Sequence, residues 1–150
     1  MKNIFKAKET ANIISRINQL TPNTASLWSK MDVAQMMAHC NVTYEMIYTD
    51  KHPKPNTVKT FLLKTFVKKA VVGNNPYPKN GRTAPQFLIS AQKEFEKEKN
   101  DLVGYITKTQ KLGETHFNNK ESHSFGKLTS NEWNNMLYKH LDHHLNQFGV

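Results

Sequence analysis

Trp133, Leu137, His140 and His144 recur at the spacing that places apolar side chains inside a packed helix, so two histidines stand where leucine would be expected. Being one turn apart on one face, two imidazoles can point at a common atom. That is a bidentate start for zinc, nickel or iron(II). Neutral imidazole is the ligating form, and an ordinary pKa near 6.5 makes it available at neutral pH. His143 offers a competing pair with His140, and spacing does not choose between them. The third ligand has to come from another helix. His39 leads, near the inward face of a helix predicted from about Val33 to Tyr48. His52 precedes Pro53 in a turn, and His116 and His123 lie in a glycine-containing stretch between helices. Three imidazoles leave part of a metal's coordination sphere open, which is the catalytic pattern; structural zinc sites are closed by four protein ligands.

Other residues could serve such a site. Glu98 sits where the apolar stripe of its helix should continue, and is a candidate hydrogen-bond acceptor behind the ligands or a general base. Tyr44 and Trp133 are candidate pocket walls. Lys79 and Arg82, near a long loop, could attract an anionic substrate. Cys40 adjoins His39 but points roughly 100° away around the helix, so it reads as a small core residue.

These residues need elements to position them. Lys8 to Leu20 reads as a first helix with Ile13, Ile14, Ile17 and Leu20 on one face, stopped by Thr21-Pro22-Asn23. Asp32 is the N-cap of the second helix, whose inward face runs Val33, Met36, Cys40, Thr43 and Ile47. His52-Pro53-Lys54-Pro55 ends it. Thr57 to Val72 reads as a basic amphipathic helix, with Phe61, Leu62, Thr65 and Phe66 on its greasy side and Lys64, Lys68 and Lys69 in water. Gly73 to Pro85, with three prolines, is a loop long enough to be a lid or pocket wall. Phe87 to Thr109 carries a further helix with Ala91, Phe95, Leu102 and Ile106 in its stripe, and Gly113 marks the end of that region. Thr129-Ser130-Asn131-Glu132 is a capping box opening the last helix to about Gln147, with Gly149 as the stop. No segment shows convincing strand alternation. The expectation is an all-α fold, a helical bundle of four main helices with an extra short helix and a long loop.

With 150 residues the chain fits a single domain, 1–150. The lone Cys40 permits no intrachain disulfide, which suits a reducing cytoplasm, and neither a signal peptide nor a membrane span is expected. The formal charge of +9 raises nucleic acid or an anionic surface as a rival reading, but the lysines are scattered and no nucleic-acid motif appears, so nucleic acid ranks below a small-molecule substrate. A bundle without catalysis, serving in assembly, is a further rival. Narrow polar bundles often pair, which makes a homodimer one expectation.

The run Lys139-His140-Leu141-Asp142-His143-His144-Leu145-Asn146-Gln147 resembles the end of DinB/YfiT-like proteins, as does Trp28-Ser29-Lys30-Met31 followed by Gln35-Met36-Met37-Ala38-His39-Cys40. In detail the chain resembles the domain-of-unknown-function 1569 branch of that superfamily. Thr83-Ala84-Pro85, the Phe95 helix, Phe125-Gly126-Lys127 and Trp133 through Val150 extend the likeness over most of the chain. The resemblance implies a DinB/YfiT-like four-helix bundle and a three-histidine metal site, which by position is His39, His140 and His144. It thus selects His144 over His143. The family often shows His-Arg-Gly-Gln around the last ligand; here His144-Leu145-Asn146-Gln147 keeps the glutamine and lacks the arginine. Relatives include transferases and isomerases in which the metal activates a low-molecular-weight thiol, and others described as hydrolases. The expected activity is therefore a metal-dependent transferase or hydrolase acting on a small molecule.

Overall fold

The computed structural model describes residues 1–150 and is mostly helical. The helices are α1 (Ala7–Gln19), α2 (Val33–Tyr48), α3 (Thr57–Leu62), α4 (Lys68–Val72), α5 (Phe95–Phe117) and α6 (Ser130–Gln147). Strands β1 (Lys120–Ser122) and β2 (Gly126–Leu128) form one antiparallel hairpin, with Glu121 opposite Lys127. Helices α1, α2, α5 and α6 pack on one another around a shared core that includes Ile13, Ile17, Met36, Cys40, Leu102, Ile106 and Leu137. No helix is long and apolar enough to cross a membrane.

The two helices that carry the histidines start at strong local signals. At α2 the Asp32 side chain accepts from the Gln35 amide at 2.7 Å, while the Gln35 side chain accepts from the Asp32 amide at 3.1 Å. Thr129 and Glu132 exchange the same pair of bonds at α6. Each satisfies amides that a helix start leaves without partners. From Val33 to Tyr44 every residue of α2 but Gln35 is buried, so α2 is a central helix, packed on most sides.

Three expectations are corrected. The helix predicted from Phe87 begins at Phe95, and Pro85–Phe87 is a single 3₁₀ turn. Gly113 does not end that helix; at φ 73° it kinks the chain, which coils on to Phe117. The hairpin has no counterpart in the sequence pattern, because strands of three residues are too short to show alternation. Thr57–Val72 is one helical arm with a π-helical turn at Leu63–Val67. Its greasy side is not covered: Val58, Phe61 and Phe66 are each at least 66% exposed.

The arm is held by α6. Lys139, only 5% exposed, donates from Nζ to the Ala70 and Gly73 carbonyls at 2.8 and 2.7 Å and lies 4.5 Å over the Tyr77 ring. Asn135 donates to the Val72 carbonyl at 3.0 Å, and Lys68 pairs with Glu132. The end of α4 thus finds a cation and donors for carbonyls that no helical amide reaches.

Candidate metal centre

His39 of α2 and His140 and His144 of α6 come together. Their ring centroids are 4.5 to 4.9 Å apart, and one ring nitrogen of each lies within 4.8 Å of the other two. The helices pass in opposite senses, since His39 faces both His140 and His144 while Thr43, a turn later, reaches only His140. His39 and His144 are buried; His140 keeps an accessible edge towards a cavity.

The outer nitrogen of each ring is already engaged. His39 Nδ1 donates to the Phe87 carbonyl at 2.8 Å, an acceptor that can only accept. The Gln147 side chain donates to the Trp28 carbonyl at 2.9 Å, which turns its Oε1 to accept from His144 Nδ1 at 2.8 Å. Both rings are thereby fixed as tautomers whose Nε2 lone pairs face inward. His140 Nδ1 lies 3.1 Å from Thr43 Oγ1, and its Nε2 is 2.9 Å from His39 Nε2. With Nδ1 donating to Thr43, the His140 Nε2 lone pair joins those of His39 and His144, a set of nitrogens that could hold a cation. An ion bonded at about 2.0–2.1 Å in tetrahedral geometry separates its donor nitrogens by roughly 3.3 Å. Here the His39 and His140 nitrogens are 2.9 Å apart and all three lie within 4.8 Å of one another.

Electrostatics keep the cluster neutral. Burial, and then the neighbouring His39, hold His144 down at about 3. Burial also lowers His39, and it lowers His140 well below the ordinary imidazole value with help from the rings around it. Neutral imidazole is the form a metal requires. No carboxylate or thiol joins the three nitrogens. Cys40 is buried against Met36, its thiol pushed up by burial.

The remaining candidates fall on either side of the site boundary. Trp133, Arg82 and His143 line the cavity that reaches the three histidines. His143 packs edge-on against His144, Tyr77 and Trp28 rather than joining the nitrogen cluster. Glu98 is buried but away from the site: its carboxylate accepts from Asn41 Nδ2 at 2.9 Å, and Asn41 is two residues beyond His39, on the far side of α2. Tyr44 is likewise in the core, stacked on Tyr105 with its hydroxyl lacking a protein partner, and does not wall the cavity. Lys79 lies 4.4 Å over the Trp28 ring. The loop after α4 does form a wall, through Tyr77, Pro78 and Gly81 to Ala84.

Several site residues were not singled out from the sequence. The carbonyls of Phe87 and Trp28 are backbone atoms, which residue type does not announce. Thr43 appeared only as part of an inward face. Gln147 enters the sequence reading only as a matching letter of a motif, yet it orients the His144 ring. The hairpin adds Ser122, His123, Ser124 and Phe125 to the cavity.

No family model, curated protein or solved structure matches this chain.

Proposed function

We propose that this protein is a metal-dependent enzyme of the DinB/YfiT type, a thiol-dependent transferase or a hydrolase of a small molecule, with His39, His140 and His144 holding a divalent zinc, nickel or iron ion. The observation that carries the reading is the convergence of one ring nitrogen from each of three histidines, with their Nδ1 atoms next to the Phe87 carbonyl, Thr43 Oγ1 and Gln147 Oε1. A divalent ion with a free position there would supply Lewis acidity, polarising a carbonyl or lowering the pKa of a thiol or water.

The chain's own residues do the rest. Phe87, Thr43 and Gln147 hold the imidazoles in the ligating tautomer, which sharpens both geometry and basicity. Burial keeps protons off them. Tyr77, Pro78, Gly81 to Ala84, Phe87 and the arm line the cavity beside the site, and a substrate seated there would displace water from the reacting groups and strengthen charge interactions among them. His143 is the one other titratable ring on the same cavity wall of α6, placed to exchange a proton with a bound substrate.

The test is a screen of metal-loaded, tag-free protein for conjugation of low-molecular-weight thiols to electrophiles and for ester and amide hydrolysis, repeated with chelator. Activity that chelator removes and metal restores supports the proposal. Full metal occupancy with no turnover in either screen counts against an enzyme and leaves a non-catalytic metal protein.

A second reading, an anionic-surface or nucleic-acid binder, draws on the exposed Val58, Phe61 and Phe66 beside Lys59, Lys64 and Lys69. Salt-sensitive binding to DNA or to anionic vesicles would favour it.

A further inference from the structure

The cavity that reaches the histidines has a volume of about 450 Å³, within the range of small-molecule sites. Two helices contribute lining residues over several turns. On α6 the lining residues run from His140 through Met136 to Trp133, and on α2 from His39 through Thr43 and Met46 to Ile47. At 1.5 Å per residue these faces extend roughly 10–12 Å away from the histidines. Past Thr43 these two helix faces are apolar; the arm closes over them with Leu63, Val67, Ala70 and Val71, and the hairpin contributes Phe125 together with the polar Ser122, His123 and Ser124.

Charge narrows the occupant further. No aspartate, glutamate or lysine lines the cavity, and Arg82 is its one permanently charged residue. An ammonium group would lose its hydration here without finding a carboxylate, which is costly. A neutral or anionic head meets no such opposition, and a long apolar tail removes its own surface and that of the half-buried Ile47 and Met136 from water.

We infer that the cavity takes an amphiphilic small molecule, with a neutral or anionic polar head at His39, His140 and His144 and an apolar tail of about 10 Å lying along Met136, Trp133 and Ile47. The placement of the head rests on the metal reading proposed above; the tail compartment does not.

Displacement of the fluorophore anilinonaphthalenesulfonate from metal-loaded protein, by three ligand series of matched chain length, separates the two. Alkyl hydroxamates, from acetohydroxamate to octanohydroxamate, carry a metal-binding head; primary alcohols carry a neutral head; primary amines carry a cation. Within the hydroxamates and alcohols, affinity should rise about threefold to fourfold per methylene added, until the tail compartment is full. Amines should bind at least about tenfold more weakly than alcohols of equal length, the least expected for an unpaired buried charge. Ala70→Glu, on the exposed arm and able to put a carboxylate into the compartment, should flatten the length dependence and narrow the gap to the amines.

Affinity independent of chain length in both series overturns the tail compartment, whatever the hydroxamates do. Amines binding as tightly as alcohols overturn the assignment of head charge. Hydroxamates no tighter than alcohols, with the length dependence intact, overturn the metal reading and leave the apolar compartment standing.

Discussion

His144 donates from Nδ1 to Oε1 of Gln147 at 2.8 Å, and Gln147 in turn donates to the Trp28 carbonyl at 2.9 Å. A glutamine one turn beyond a candidate ligand thus does two things: it fixes which nitrogen of His144 faces the other two histidines, and it ties the end of α6 to the segment before α2. Gln147→Leu keeps the packing volume and removes both bonds. Metal affinity should fall about 10- to 100-fold, as is usual when such orienting partners are lost, with the fold retained by circular dichroism. Isothermal titration with zinc or nickel gives the comparison; an unchanged affinity would show that Gln147 does not orient the ligand.

Thr43 has the corresponding role for His140, at 3.1 Å from Nδ1. Thr43→Val is nearly isosteric and leaves Nδ1 without that partner, so the ring can adopt the other tautomer. A roughly tenfold loss of metal affinity is expected, and Thr43→Ser should recover most of it. Failure of serine to recover it would make the effect one of packing.

The stability of metal-free protein should fall as pH falls below about 6.5. His144 is held at about 3 in the fold, and His39 and His140 are lowered by burial; in the unfolded chain they titrate near 6.5. Between those limits the unfolded state binds more protons, so it gains as the solution becomes more acidic. The slope is about 1.4 kcal/mol per pH unit for each imidazole that stays neutral. Urea unfolding from pH 7 down to pH 5 measures it, and His144→Phe should reduce the slope. Stability that rises on acidification would contradict the buried neutral cluster.

Lys139 is a buried cation whose Nζ binds two carbonyls and no carboxylate. Lys139→Met leaves the carbonyls of Ala70 and Gly73 without that donor and should cost about 1–3 kcal/mol. Amide exchange should speed up in the arm and in the loop carrying Tyr77, well before α2 and α5 are affected. A uniform change across the chain would mean that the lysine supports the whole core instead.

What the sequence reveals here is what local chemistry decides. Asp32 with Gln35 and Thr129 with Glu132 announce their helix starts because the groups they satisfy are three residues away. His140 and His144 stand out because they interrupt an apolar period on their own helix. Phe87 lies outside that logic: its carbonyl is taken by His39, a tertiary bond that no propensity encodes, and the helix starts eight residues later. Glu98 falls by spacing on the apolar stripe of its helix, but whether that stripe faces the three histidines or Asn41 depends on how α5 sits against α2. Phe61 and Phe66 mislead in the opposite way. Their periodicity implies a buried face, and the arm instead turns Leu63 and Val67 to the cavity and leaves the phenylalanines outside.

The most direct test is the metal content of protein purified without a histidine tag, measured by plasma mass spectrometry beside His39→Ala. Convergence of imidazoles from α2 and α6 on one ion predicts about one divalent ion per chain in the unaltered protein. It also predicts loss of most of that metal in the variant, since one of three ligands is gone. Equal metal content in the two proteins, or none in either after incubation with zinc, nickel and iron(II), would contradict it.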